Sequence, residues 1–181
     1  MPRQFFAGGI YHVFTRGSNR QPIFSYDSDH VEFLMCLERV VAQRDIVCLA
    51  YCLMPNHYHL VVETRDGELS RAMQALNGRY ATRFNRRYGR DAHLFKNRFG
   101  AVLQETTPQL LWTLKYVVSN PVRSGLCGRA GDWLWSSYRA SAGLELAPRF
   151  LDVDRVLSFF ADMPDRARAS FCAFVDDYVG V

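Results

Sequence analysis

The spacing of hydrophobic residues along the chain predicts an alternation of strands and helices. Apolar and β-branched runs of strand length occur at residues 10–15, 46–53, 57–63 and 99–105. Apolar residues three or four apart predict helices over residues 27–44 and 69–88. A third helix is expected to open at Thr107-Pro108 and to run to about Ser119, where Asn120-Pro121 would stop it.

This order, β-α-β-β-α-β followed by a helix, is typical of the split βαβ or ferredoxin-like fold. We therefore expect an α+β domain whose antiparallel sheet has two helices on one face and leaves the other face free for a ligand. The chain beyond Gly143 contains a Pro-bearing connector and two short helical patterns, near residues 152–161 and 164–179. We accordingly predict a domain over residues 1–140 and a helical C-terminal appendage over residues 141–181.

Length and composition narrow the class of protein. A chain of 181 residues, 49% of them hydrophobic, is long enough for one domain with a substantial core. No apolar run approaches the roughly 20 residues of a membrane helix, and no signal-peptide pattern precedes the domain. The five cysteines are an odd number without the spacing of a disulfide scaffold, which favours reduced thiols in the cytoplasm.

Positive charge is concentrated in one part of the chain. The net charge is +4, but residues 150–181 contribute −3, which leaves +7 on residues 1–149. The densest basic segment is 71–98, where a single aspartate accompanies eight arginines and lysines. Such a cluster indicates contact with phosphate backbones, the alternative being a solvated helix face. The residues we predict to contact nucleic acid are Arg79, Arg83, Arg86, Arg87, Lys96 and Arg98, together with Arg16, Asn19 and Arg20 in the turn after the first strand.

Two histidines interrupt the apolar strand at residues 57–63. His57 and His59 are two apart, so their side chains point to the same side of the strand and can converge on one cation. Three alternatives are open at this point. The pair could be ordinary surface histidines, part of a structural zinc site with Cys48 and Cys52, or part of the sheet of an RNA-recognition module. The cysteine spacing fits zinc poorly, and the aromatic strand of the RNA module is missing.

The third helix carries two further candidate residues. Tyr116 and Asn120 are four apart and therefore lie on one helical face. An asparagine offers a carbonyl oxygen to a hard cation, and a tyrosine offers a phenol that can attack a phosphodiester. A lone tyrosine on an apolar helix is more often a core residue, so the spacing by itself leaves the role of Tyr116 open.

Four segments in this order and spacing resemble one known family. They are YHVFTRGSNRQPIF (11–24), YCLMPNHYHLVV (51–62), HLFKNRFGAVL (93–103) and YVVSNPVRSGL (116–126), with DWLWSSYRAS (132–141) following. Together they are similar to the single-tyrosine HUH transposases, and specifically to the REP-associated tyrosine transposases of bacteria. HUH denotes two histidines flanking a hydrophobic residue, here His57-Tyr58-His59. Ser124 stands where the family often has alanine, and the segment before His93 lacks a frequent glycine.

The resemblance implies a function and a set of roles. Tyr116 would be the nucleophile, and His57, His59 and Asn120 would hold a divalent metal, Mg2+ or Mn2+. The enzyme would cleave single-stranded DNA at hairpin-forming palindromic repeats through a 5′-phosphotyrosine intermediate, in the bacterial cytoplasm at the nucleoid. A domesticated hairpin-binding protein without cleavage activity and a replication-initiator-type nickase are the alternatives. A monomer and a homodimer are both compatible with the sequence.

Overall fold

Four strands form one antiparallel sheet in the computed structural model, which describes residues 4–177. The strands are β1 Gly9–Arg16, β2 Ile46–Met54, β3 His57–Thr64 and β4 Gly100–Leu103. Their order across the sheet is β2-β3-β1-β4. This order, with helices connecting β1 to β2 and β3 to β4, confirms the predicted α+β, ferredoxin-like fold. Strand β4 is shorter than predicted, because only residues 100–103 pair with β1.

Six α-helices complete the described part of the chain. They are α1 Asp27–Gln43, α2 Leu69–Tyr88, α3 Thr107–Arg123, α4 Tyr138–Ser141, α5 Val153–Leu157 and α6 Pro164–Asp176. The first two match their predicted bounds to within a residue. The predicted helix over 152–161 is reduced to α5, and α6 ends before the predicted residue 179, which lies outside the described residues.

Helices α1 and α2 cover one face of the sheet. The apolar stripe of each helix is buried there, and its aromatic residues meet those of the central strand β3. The Phe33 ring of α1 lies 4.7 Å from that of Tyr58 and 5.2 Å from that of Tyr80. The Tyr58 hydroxyl donates to Asn77 Oδ1 at 2.6 Å, which satisfies the one polar group that this strand residue buries.

Helix α3 lies on the opposite face, over β2 and β3. Its buried apolar residues are Leu110, Leu114, Val117 and Val118. The expectation that this face is free for a ligand is therefore wrong for half of the sheet, because a helix with an apolar stripe of its own must bury it somewhere. Among residues 4–177, only the half formed by β1 and β4 stays uncovered by a helix, and Phe14 and Val102 are exposed there.

Helix α3 also continues past the point at which Asn120-Pro121 was expected to stop it. Pro121 lies within the helix, which ends at Arg123. Termination comes from Gly125, whose φ of +68° allows the left-handed turn. The Leu126 amide then donates to the Pro121 carbonyl and the Gly125 amide to the Val122 carbonyl, a Schellman motif. Proline close to a helix end disrupts little, and the glycine was the stronger stop signal.

The segment after α3 covers the outer edge of β2. The Leu53 amide donates to the Trp135 carbonyl at 2.8 Å, and the Asp152 amide donates to the Cys48 carbonyl at 2.9 Å. These bonds satisfy a strand edge that would otherwise be exposed to other chains. The described C-terminal helices contribute Val156, Phe171 and other residues to the common core, and the boundary between residues 140 and 141 stays a prediction.

Candidate active site

The two histidines of β3 point toward α3, on the same side of the sheet. His57 pairs with Arg16 and His59 with Phe14 of β1. Their ring centroids are 5.0 Å apart and the rings are perpendicular. The His59 side chain is buried, with 6% of its surface exposed, so the alternative of ordinary surface histidines does not hold for it. A strand that begins directly after the Pro55-Asn56 turn fixes both side chains close to the end of the sheet.

Helix α3 places Tyr116 and Asn120 over this pair. Asn120 Nδ2 lies 3.4 Å from His59 Nε2. The Tyr116 ring lies 5.5 Å from the His59 ring, and 38% of the residue's surface is exposed. The Arg123 guanidinium, about two turns further along the helix, lies 5.4 Å from the Tyr116 ring centroid. The predicted proximity of these residues is thus realised within one chain.

A third histidine belongs to this group and was missed by the sequence analysis. His12 of β1 has its Nε2 atom 2.9 Å from His59 Nδ1. Its ring lies 5.9 Å from the Tyr116 ring. Strand alternation could have indicated part of this arrangement, because it places His12 on the same face of β1 as Phe14 and Arg16. Local pattern does not reveal which strand pairs with β3, and so it could not bring His12 beside His59.

Burial keeps all three imidazoles neutral. It lowers the pKa of His12 to about 4. It also lowers the pKa of His57 to about 4, to which nearby Arg16 contributes, while a hydrogen bond with Asn120 acts the other way. The pKa of His59 falls to about 3, through burial first and then through its two histidine neighbours. Neutral imidazole is the form that binds metal ions.

A basic cavity of about 340 Å³ opens beside the histidine pair. Lys96 and Arg98 reach it because the Lys96 amide donates to the Arg16 carbonyl at 2.9 Å, which ties their segment to the end of β1. The structure therefore gathers three of the predicted nucleic-acid contacts at the site. The cavity is lined by Phe14, Thr15, Arg16, His57, His59, Lys96, Asn97, Arg98 and Gly100.

The turn after β1 is connected to the site through Asn56. Asn19 and Arg20 adopt left-handed backbone conformations, with φ of 52° and 58°. The Arg20 carbonyl accepts a hydrogen bond from Asn56 Nδ2 at 3.2 Å, and Asn56 Oδ1 lies 2.7 Å from His57 Nδ1. The turn therefore adjoins the histidine pair, whereas its contact with nucleic acid stays a prediction.

The arginines of α2 lie elsewhere, on the α1 side of the sheet. Arg79 donates to Gln43 at 2.9 Å. Arg83 forms an ion pair with Glu32, and Arg87 forms one with the buried Asp29 at 2.5 Å. Arg86 is exposed on the same helix. These four residues do not converge with the cavity cations, and their contact with phosphates stays a prediction.

The arrangement of donors fits a divalent cation. Both His57 and His59 have Nδ1 engaged by a neighbour, and both rings contact Asn120. The amide oxygen of Asn120 exchanges places with Nδ2 by a half-turn of the amide group. Within residues 4–177 no cluster of three or more His, Cys, Asp and Glu side chains is arranged to hold a metal, so the oxygen of Asn120 is needed to complete a set of three.

The zinc alternative fails on the geometry of β2. Cys48 pairs with Val62 and Cys52 with His59, and these two partners of β3 point to opposite faces of the sheet. Both thiols are fully buried. Burial raises the pKa of Cys48 to about 12, which disfavours the thiolate that zinc requires.

The fold and these residues together define a class, the single-tyrosine HUH domain. The sequence profile of the family described as "Transposase IS200 like" matches residues 6–120, more than half of the 181-residue chain, so this chain belongs to that family of DNA transposases. The resemblance drawn from the sequence motifs is thereby confirmed. Among the described residues, none of the helices has the length and hydrophobicity that a membrane crossing requires.

Three known proteins are similar to this chain. A proposed REP-associated tyrosine transposase of Haemophilus influenzae is 24% identical over 158 residues, which span 81% of this chain and 89% of the relative. A solved REP-associated tyrosine transposase bound to a REP hairpin has the same fold, with a TM-score of 0.68 and 17% identity over 84% of this chain and 90% of that one. A proposed transposase from Deinococcus radiodurans is 18% identical over 62% of this chain and 92% of that one, with a TM-score of 0.46.

Proposed function

We propose that this transposase is a metal-dependent single-stranded DNA endonuclease and strand transferase that acts at hairpin-forming palindromic repeats. The observation that carries the proposal is the convergence of Tyr116 with His57, His59 and Asn120 beside a basic cavity. The solved relative of the same fold, which is bound to a REP hairpin, supports the choice of hairpin DNA as the substrate.

Tyr116 would act as the nucleophile. Its phenol oxygen forms a bond to the scissile phosphorus while the bond from phosphorus to the 3′ oxygen breaks. The phenol gives up its proton and the 3′ oxygen takes one up, so the products are a 5′-phosphotyrosine and a 3′-hydroxyl. The bond energy is kept in the phosphotyrosine, and attack by another 3′-hydroxyl reverses the step and joins a new strand.

The cation would be held by His57, His59 and Asn120. When bound, Mg2+ or Mn2+ would withdraw negative charge from a non-bridging oxygen of the scissile phosphate. Two imidazoles and one amide oxygen leave coordination positions for phosphate and water, as a catalytic rather than a structural site requires. Their neutral state at physiological pH means that no proton has to be displaced for binding.

The cavity cations would bind the DNA strand next to the cleavage position. Arg16, Lys96 and Arg98 offer charges to successive phosphates. Phe14 adjoins them with 39% of its surface exposed and can stack on an unpaired base. Stacking and phosphate contacts hold a strand without demanding a particular sequence, so recognition of the hairpin itself would fall to other surfaces, including the turn with Asn19 and Arg20.

The test is a cleavage assay on labelled single-stranded hairpin DNA with Mn2+ or Mg2+. It would be run beside EDTA, the Tyr116→Phe variant and the matched Tyr26→Phe variant. Tyr26 is also exposed, but it lies at the start of α1 on the other face. We expect a covalent protein–DNA band that requires metal, disappears in Tyr116→Phe and persists in Tyr26→Phe.

Two results would contradict the proposal. A covalent band in Tyr116→Phe would assign the nucleophile to another residue. Tight hairpin binding by the wild type with no band at any metal concentration would instead favour the hairpin-binding protein without cleavage activity.

A further inference from the structure

Each of the two histidines of β3 has one ring nitrogen engaged by a residue outside the proposed ligand set. For His57 the partner is Asn56, and for His59 it is His12. In both cases the engaged atom is Nδ1. The other nitrogen, Nε2, is the one that lies toward Asn120 in His59. This shared pattern has consequences for which nitrogen carries a proton.

The proton position of His57 follows from the orientation of Asn56. A backbone carbonyl can only accept a hydrogen bond, so the atom of Asn56 that faces the Arg20 carbonyl at 3.2 Å must be Nδ2. Oδ1 therefore faces His57, and it too can only accept. His57 must carry its proton on Nδ1, which leaves the lone pair of Nε2 free.

The pair of His12 and His59 has two arrangements. Their nitrogens are 2.9 Å apart and share one proton, so one ring donates and the other accepts. If His12 accepts, His59 carries Nδ1–H and presents a free lone pair at Nε2. If His12 donates, His59 carries its proton on Nε2 and cannot be a ligand through that atom.

The backbone around His12 leaves it little freedom to move away. Strand β1 is paired on both sides, with β3 and with β4. The His12 ring stacks on the His59 ring with centroids 5.1 Å apart and an angle of 27°, and the Phe14 ring lies 5.3 Å away. His12 is thus held where its Nε2 atom meets His59 Nδ1.

We propose that His12 and Asn56 are positioning residues that fix both histidines of β3 as Nε2 ligands of the catalytic cation. Metal-binding histidines in general donate their second N–H to an acceptor that sets the tautomer and ring orientation, and loss of that acceptor weakens metal binding 10- to 100-fold. The proposal rests on the metal site of the proposed function. It assigns His12 no contact with the cation or with the reacting phosphate.

The test compares His12→Gln with His12→Asn. The amide oxygen of glutamine reaches the position of Nε2 and can still accept from His59, whereas that of asparagine is too short. Both variants replace the imidazole by a polar amide. They differ mainly in whether the amide oxygen is close enough to accept a hydrogen bond from His59 Nδ1. The dissociation constant for Mn2+ alone would be measured by calorimetry, without DNA, in protein shown to be folded by circular dichroism.

We expect His12→Asn to weaken Mn2+ binding 10- to 100-fold and His12→Gln to retain most of the affinity. Nitrogen NMR of the imidazoles in the metal-free protein provides a second readout, in which His57 should carry Nδ1–H and should lose this preference in Asn56→Ala. Equal Mn2+ affinity in both His12 variants and the wild type would overturn the role of His12.

The outcome for the metal site itself is read separately. Mn2+ binding that is lost in His59→Ala but unchanged in His12→Asn would overturn only the positioning role. Mn2+ binding that is unchanged in His59→Ala would overturn the proposed metal site, and the positioning role with it.

Discussion

The dependence of DNA binding on salt tests which cations contact the strand. Arg16, Lys96 and Arg98 line the cavity beside the histidine pair, and all three side chains are exposed. Replacing all three by glutamine removes their charges and keeps polar side chains of similar length. The perturbation is best made in the Tyr116→Phe background, so that binding is measured without cleavage.

The expected magnitude follows from counterion release. Each phosphate contact on single-stranded DNA contributes about 0.7 to the slope of log affinity against log salt, so three contacts contribute about 2 units. Between 50 and 200 mM salt, the parent protein should therefore lose roughly 20-fold more affinity than the triple variant. Fluorescence anisotropy with a labelled hairpin that carries a single-stranded flank measures both slopes.

The matched control is the double variant Arg83→Gln, Arg87→Gln on α2. The sequence analysis assigns these residues to phosphates as well. In the structure their charges are already compensated by Glu32 and Asp29, so we expect their replacement to change the slope by less than about 1 unit. An unchanged slope in the cavity variant together with a flattened slope in the α2 variant would refute the reasoning and would place the DNA across α1 and α2.

Three further predictions concern other residues. The His30 ring is stacked between two aromatic rings, and burial lowers its pKa. Because the unfolded state binds a proton that the folded state does not, the free energy of unfolding should fall as pH drops below about 6.5. The melting temperature should therefore drop less between pH 8 and pH 5 in His30→Phe than in the wild type. In Gly100→Ala the new Cβ would lie 2.4 Å from the Phe14 ring, so the ring must move. Fluorescence anisotropy should then show weaker binding of the single-stranded flank of the hairpin DNA. Unchanged affinity would exclude Phe14 as a stacking surface. A mixture of Tyr116→Phe and His59→Ala proteins should give no covalent adduct, because the structure completes the site within one chain; restored cleavage in the mixture would show that the tyrosine acts on a partner's metal site.

The parts of the fold that the sequence predicts are those set by local pattern. Alternation and helical spacing predict each strand and the first three helices, because those signals depend on neighbours a few residues away. Local spacing likewise predicts that Tyr116 lies close to Asn120 and that His57 lies close to His59. Placing the two pairs against one another depended on the family resemblance, since no local rule specifies how α3 packs on the sheet.

The features that the sequence does not predict depend on contacts between distant residues. His12 meets His59 through the register of β1 with β3. The charge of Arg87 is compensated by an ion pair, because α1 brings Asp29 within 2.5 Å. A count of basic residues along α2 cannot detect such a partner, and contact of these arginines with DNA stays a prediction.

The way α3 ends bears directly on the chemistry. Had the helix stopped before Asn120, that side chain would sit on non-helical backbone, and its distance to Tyr116 would no longer be fixed by one helical turn. Because the helix continues through Pro121 to its glycine stop, Asn120 is held by the same rigid element as Tyr116. Core residues of that helix are packed on β2 and β3, and β3 carries both His57 and His59. The proposed nucleophile and the proposed ligands therefore keep their relative positions as long as this packing is intact, and this rigidity is what in-line attack by a tyrosine on a metal-bound phosphate demands.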